Sequence, residues 1–302
     1  MDINLQLNEF GYAIIPDILT LDECIYYRNQ IWDELKYVSN NKFDYTNIET
    51  WSNFELFKPS YSMLLHHFSL GHIQPIWNLR QHPKIYNVFE NIWSTPVDNL
   101  LTSFDGLAIL LPPEKTNKGY ITEEWLHTDQ SSKKIGCHCI QSMITLYDIN
   151  KYDATINLLE KSHLYHESFF IDNSIENRSD WYLLKNDEKK YFLDRSCNEI
   201  SICTPAGSMI LWDSRTIHQG IGVDPNRLIE NFRMVVYISM MPRQTIVNPK
   251  LLNLRIKAFN NYRISSHWVN SLFLFPNYKS PDINPIHKPI LNNIGKRLVG
   301  YD

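Results

Sequence analysis

Hydrophobic positions fall into two regimes along this chain. Up to about residue 103 they recur at helical spacing. From about 104 to 243 they come in short runs separated by turns. Thr20-Leu21-Asp22-Glu23 reads as a capping box, and behind it Cys24, Ile25, Ile31, Trp32 and Leu35 form an apolar stripe broken only by Arg28, which predicts a helix over about 21–37. Residues 39–60 are polar and irregular and read as a loop. Pro83 opens a second helix with Ile85, Val88, Phe89, Ile92 and Trp93 on its buried face. The runs that follow are Leu107–Leu111 before Pro112-Pro113, Cys139–Ile149, Thr155–Leu159, Ile200–Cys203, Ser208–Trp212 and Phe232–Met241. The second and third alternate like half-buried strands. Several short strands with turn signals predict a sandwich or barrel. After Pro242 the pattern returns to helical and irregular. With no internal repeat and no low-complexity linker, the chain reads as one domain over 1–302. It has a helical part to about 103, a β-barrel core over about 104–243 and a C-terminal appendage over about 244–302.

Composition adds exclusions. The 302 residues are 43% hydrophobic and 21% charged, enough for a sizeable core, and the formal net charge is −4. There is no basic stripe of the kind nucleic-acid binding needs. Lys133-Lys134 and Lys189-Lys190 are isolated pairs expected on solvated faces. No apolar run is long enough to span a bilayer, and the start Met1-Asp2-Ile3-Asn4-Leu5 lacks the features of a signal peptide. The odd count of five cysteines then points to reduced thiols and a cytoplasmic location.

The candidate chemistry sits at His127-Thr128-Asp129 and at the distant His218. Residues two apart on a strand share a face, so His127 and Asp129 can point at one ion. A jelly-roll barrel brings His218, at the end of another strand, to the same mouth. Two imidazoles and one carboxylate form the facial triad that suits non-haem Fe(II) and leaves the opposite face open. The other histidines fit less well. His66, His67, His72 and His82 have no carboxylate at ligand spacing, and His163 and His166 have no nearby acid. Cys137-His138-Cys139 lacks a second cysteine pair, so these cysteines read as packing residues.

At these residues the sequence resembles the phytanoyl-CoA dioxygenase family of Fe(II)/2-oxoglutarate oxygenases. The resemblance runs through Asn8 to Pro16, Gln81-His82-Pro83-Lys84-Ile85, Trp125 to Gln130, Gln141 to Asp148, Leu158 to His163, and most specifically Pro205 to Asp213 with His218-Gln219-Gly220. It implies an α+β fold with a double-stranded β-helix (jelly-roll, cupin-like) core and flanking helices. It also implies iron ligands at His127, Asp129 and His218, and a cosubstrate-binding Arg at Arg233. Arg suits that role because its planar fork pairs with a carboxylate through two hydrogen bonds. Gln141 is a further candidate cosubstrate contact, or else a strand residue bonded to a neighbour. Arg227, in a Pro-Asn turn, reads as a surface residue. The implied activity consumes O2 and 2-oxoglutarate, hydroxylates a small-molecule substrate and releases succinate and CO2.

The sequence also departs from the family. Leu111 stands where a Lys often precedes the Pro-Pro pair, which could move a contact to Lys115. Tyr152-Asp153-Ala154 replaces an Asn-Gly turn, and Glu160-Lys161 replaces Pro-Gly. A fatty acyl-CoA substrate therefore does not follow. A metal-binding protein without turnover and a metal-dependent hydrolase are the alternatives. Trp51, Tyr120 and Trp125 are candidate pocket residues, and the segment from Arg255 to Trp268 is either a lid or a packing appendage.

Overall fold

The computed structural model describes residues 2–302 apart from 122, 177, 178, 186 and 247. Helix α1 (Ile3–Phe10) starts at Asp2, whose carboxylate accepts the N–H groups of Asn4 and Leu5. It ends at Gly11, where a φ of 83° turns the chain into strand β1 (Tyr12–Ile15). Helix α2 (Leu21–Val38) begins at the expected capping box, with Thr20 and Glu23 each accepting from the other's main chain. The stretch read as a loop contains a 3-10 segment, Ile48–Phe57, with Phe54 and Phe57 buried. Strand β2 (Leu64–Leu65) precedes α3 (Gln74–Arg80) and α4 (Pro83–Trp93), and both helices carry Pro in the first turn.

The core then runs β3 (Leu100–Thr102), β4 (Leu107–Leu110), a short α5 (Pro113–Thr116), β5 (His127–Thr128), β6 (Ile140–Thr145) and β7 (Thr155–Leu159). It continues through α6 (His166–Asp172), β8 (Tyr182–Leu183), α7 (Lys189–Leu193), β9 (Glu199–Ser201), β10 (Met209–Asp213), β11 (His218–Ile221), β12 (Arg233–Tyr237) and β13 (Met240–Pro242). Helices α8 (Lys250–Asn260) and α9 (Asn293–Val299) follow. A larger antiparallel sheet has the order β1-β10-β6-β12-β4-β2, and a smaller one β8-β5-β11-β7-β9. Together they form the expected double-stranded β-helix core with flanking helices. The run Phe232–Met241 is not one strand. Ile238 N–H bonds Ser142 O, and the chain then leaves for β13, which pairs with β3.

Two packing layers explain this arrangement. Ala108, Leu110, Met143, Ile156, Leu158, Ile210, Trp212 and Val235 fill the space between the sheets. On the outer face of the larger sheet, Leu107, Ile109, Ile144, Leu211, Met234 and Val236 pack against Ile31, Trp32 and Leu35 of α2 and Phe89 of α4. Strand β6 is therefore buried at every position rather than on alternate ones, because helices cover the face that alternation would have left to solvent. Trp32 anchors this layer. It is 1% exposed, stacks on Tyr45 and donates Nε1–H to Tyr147 Oη.

Some surface expectations change. Lys134 reaches Asp180 and lies 3.6 Å from the Trp268 ring centroid, and Lys189 bridges Glu124 and Glu199. Arg227 is not a surface residue. Its side chain is 4% exposed and bridges Glu114 and Asp153, tying α5 to the β6–β7 turn. Cys139 is buried as expected, whereas Cys137 is exposed. Among the described residues no helix is long and apolar enough to cross a membrane.

Candidate metal centre and its cavity

His127 and His218 stand directly opposite each other where β5 pairs with β11. Asp129 follows β5, and its N–H bonds Ser214 O while its main-chain oxygen accepts from Trp268 Nε1. Ligand atoms of His127, Asp129 and His218 all lie within 4.8 Å of one another. Asp129 Oδ2 is 3.7 Å from His127 Nε2 and 3.4 Å from His218 Nε2. Each imidazole is oriented by its other nitrogen. His127 Nδ1–H donates to Trp125 O at 3.0 Å, and His218 Nδ1–H donates to Thr216 O at 2.9 Å. That fixes the tautomer in which both Nε2 lone pairs face Asp129. Trp125 stacks on the His127 ring at 4.7 Å, and Tyr61 stacks on Trp125 at 4.3 Å, so the β5 imidazole cannot swing away.

Electrostatics prepares the site for a cation. Burial pushes the Asp129 carboxyl up, but His267, His127 and His218 together pull it well below the usual carboxylate range. Burial and the neighbouring His127 lower His218, keeping its imidazole neutral and able to ligate.

These three residues open onto a cavity of about 960 Å³ between the sheets, near the upper end of small-molecule sites. Arg233 and Tyr237 of β12, Gln141 and Met143 of β6 and Trp212 of β10 line it from the larger sheet. Arg233 is 5% exposed. Its Nη1 donates to Ala154 O at 2.9 Å, its Nη2 points at Met143 Sδ at 3.6 Å, and its Nε has no partner. Among the described residues no carboxylate pairs with it. Gln141 donates from Nε2 to Asp129 Oδ2 at 2.9 Å, the oxygen that faces both imidazoles. Of the three aromatic pocket candidates, Trp125 lines the cavity, whereas Trp51 packs on Phe232 and Tyr120 joins the inter-sheet core. Lys115 is paired with Glu230 and takes no part in the lining.

Several lining residues carry no sequence signal. His66 and Asp105 meet at 3.6 Å on the cavity wall, although no spacing rule connects them. The segment from Ser266 to Phe275 contributes His267, whose Nε2 is buried without a partner, and Trp268. Gln130, adjacent to the triad, accepts from Ser214 Oγ and His138 N–H and donates to Lys134 O and Gly136 O, so it rigidifies the loop after Asp129.

Comparison with known proteins agrees with this architecture. The chain is 25% identical over 281 residues to Ava biosynthesis cluster protein O of Aspergillus versicolor, covering 88% of this chain and 87% of that protein. It superposes with a TM-score of 0.52 and 16% identity on the epimerase SnoN in complex with Fe3+, alpha-ketoglutarate and nogalamycin RO, over 80% of this chain and 82% of that one. It is also similar to EvdMO1, with a TM-score of 0.52 and 12% identity over 82% of this chain and 49% of that chain. No family model matches. At these identities the structural likenesses establish a shared double-stranded β-helix fold.

Proposed function

We propose that the protein is a non-haem Fe(II)- and 2-oxoglutarate-dependent oxygenase of the phytanoyl-CoA dioxygenase-like kind. It would hydroxylate a small-molecule substrate, with residues 1–302 acting as one domain. The observation that carries this reading is a pairing across the cavity. A His-Asp-His set stands on one wall, and the opposite wall holds Arg233, a buried guanidinium without an acid. The donor set fits the metal, since two neutral nitrogens and one carboxylate favour Fe(II) over a thiolate-type zinc site. The orphaned Arg233 fits the far carboxylate of 2-oxoglutarate, because a buried cation needs a counter-charge.

In this reading His127, Asp129 and His218 hold the metal, while Gln141 steadies Asp129 by bonding the oxygen that faces it. Iron and 2-oxoglutarate, when held by these residues, would supply an O2-derived oxidant for hydroxylating a C–H bond, with release of succinate and CO2. Arg233 binds and orients the cosubstrate, with Tyr237 beside it. The aromatic walls exclude water and position the substrate. A hydrolase would leave Arg233 without a ligand, and a non-catalytic metal protein would need neither Arg233 nor a cavity of this size.

SnoN is an epimerase that carries Fe3+ and alpha-ketoglutarate together with nogalamycin RO, which makes a bulky natural-product-like molecule a reasonable class of substrate here. The test is an anaerobic titration of Fe(II)-loaded protein with 2-oxoglutarate, read as the visible charge-transfer band of the chelate. The band should appear with one equivalent of iron. Iron binding without a band would reject the oxygenase reading.

A further inference from the structure

Within the cavity the charges do not balance, and the imbalance is local. Resting on the oxygenase reading, the formal charges of Fe(II), Asp129, 2-oxoglutarate and Arg233 cancel. Asp180, also on the wall, is paired with Lys134 at 2.7 Å. What remains is Asp105. It is 8% exposed and lines the cavity. Its Oδ1 accepts from Gly106 N–H at 2.7 Å and lies 3.6 Å from His66 Nε2. Its Oδ2 has no hydrogen-bond partner among the described residues.

Among the described residues no cation bonds this carboxyl directly. Arg80 lies behind it, but its guanidinium donates to the main-chain oxygens of Gly71 and Asp105 and not to the carboxylate. His66 is stacked on Phe275 at 4.4 Å, and burial pulls it down to about 4, so it is neutral at physiological pH. Burial likewise pushes Asp105 up to about 7, against the opposing pull of Gly106 N–H and Arg80, while the negative Asp129 adds to the rise. A buried acid of this kind is costly as an unpaired anion and is relieved by a cation.

We propose that Asp105, with His66 beside it, is a recognition site for a positively charged nitrogen on the substrate. The substrate class is then an aromatic or polycyclic molecule carrying a protonated amine or guanidinium. The aromatic wall takes the ring system, and Asp105 takes the cation with a charge-assisted hydrogen bond. His66 stands 3.6 Å from Oδ1, too far for a strong bond of its own, and leaves Oδ2 to the substrate.

The competing account is that Asp105 stays protonated and donates to a neutral oxygen. Asp105→Asn mimics that protonated acid in shape and separates the two. The experiment uses the Fe(II)/2-oxoglutarate complex under anaerobic conditions at neutral pH. Two probes share one ring system, naphthylethylamine and naphthylethanol, and binding is measured by calorimetry. Wild type should bind the amine at least roughly tenfold tighter than the alcohol, the scale of one charged hydrogen bond. Asp105→Asn should abolish that preference while keeping the charge-transfer band. Equal binding of the probes by wild type, failure of the amine to bind, or a preference that survives in Asp105→Asn would each overturn the proposal. The wild-type ratio needs no variant, so a misfolded Asp105→Asn protein leaves the test intact. Absence of the band in wild type would instead count against the oxygenase reading.

Discussion

Arg233→Met separates a cosubstrate role from a structural one, because the first predicts little change in the stability of the protein alone and the second a clear loss. The guanidinium is 5% exposed, bonds only Ala154 O firmly, and has an unpartnered Nε and no acid. Without ligand, Met removes a buried uncompensated cation and strands one carbonyl. Stability should then stay within about 1 kcal/mol of wild type. With ligand, the variant loses two hydrogen bonds to a carboxylate, worth about 4 kcal/mol together, or roughly a thousandfold in 2-oxoglutarate affinity. In wild type, ligand at about a hundred times its Kd stabilises by about 2.7 kcal/mol, which for a chain of this size is a Tm rise of about 4 °C. At the same concentration the variant should show a rise of less than about 1 °C. The assay is an anaerobic thermal melt with Fe(II), with and without 2-oxoglutarate, alongside the charge-transfer titration. An undiminished shift in Arg233→Met would refute the assignment. A variant that melts several degrees lower without ligand would make Arg233 a structural residue.

Other consequences follow from the same contacts. Gln141→Leu removes the donor to Asp129 Oδ2 and should weaken Fe(II) binding by about 10- to 100-fold, with little change in melting of the metal-free protein; competition with a chelator measures it. Asp105 is raised in the fold, so its protonated form contributes stability fully below the unfolded carboxylate range and loses it as pH rises through about 7. Urea unfolding of wild type and Asp105→Asn across that window should converge at low pH and favour the variant near neutrality. Arg255→Met strands the carbonyls of Thr102, Val269, Leu298 and Val299 and should cost about 3 kcal/mol or more, read as a lower urea midpoint.

Local signals made parts of the fold legible and hid others. Helices α2 and α4 were readable because their start signals, a capping box and a Pro, act within one turn. The strands between β4 and β12 were readable as apolar runs, and the β5–β11 pairing then brought His127, Asp129 and His218 together as strand alternation predicts. Strand β1 carries no comparable signal, since Tyr12–Ile15 is short and acquires its role only by pairing with Trp212 to Met209. The break after Tyr237 has a similar cause. Ile238 and Ser239 are apolar or small enough to continue a strand, and Ile238 N–H still bonds Ser142 O in register with β6; the chain turns away at Ser239, whose N–H and main-chain oxygen bond Ser103 instead. His66 and Asp105 were invisible for a stronger reason. They come from opposite ends of the α3–α4 excursion, and nothing in either sequence neighbourhood marks the other. The Pro-Asn turn around Arg227 suggests exposure, whereas two acids from distant segments close over its side chain.

The C-terminal segment, open at the sequence level between lid and appendage, has the contacts of a fixed wall. Ser265 N–H bonds Phe104 O and Ser265 Oγ accepts from Phe104 N–H, so the segment is tied to the residue preceding Asp105. Phe275 N–H bonds Ile264 O and Ser266 N–H bonds Phe273 O, closing the segment on itself. Trp268 donates to Asp129 O, which ties the same wall to a proposed metal ligand. A hinged lid needs a stretch with few such bonds, because opening must break whatever holds it. Here opening would break the Trp268 bond at Asp129 and the paired bonds at Phe104 together. Substrate entry is therefore better served by the rim around Tyr61, Trp181 and Phe273, whose side chains are exposed or partly so while still lining the cavity. On this view Trp268→Phe loses the bond to Asp129 O while keeping an aromatic ring beneath Lys134. It should loosen metal binding without opening the pocket, whereas Trp181→Ala should speed exchange of bound ligand and change metal affinity less, through its ring contact with His127 at 6.0 Å.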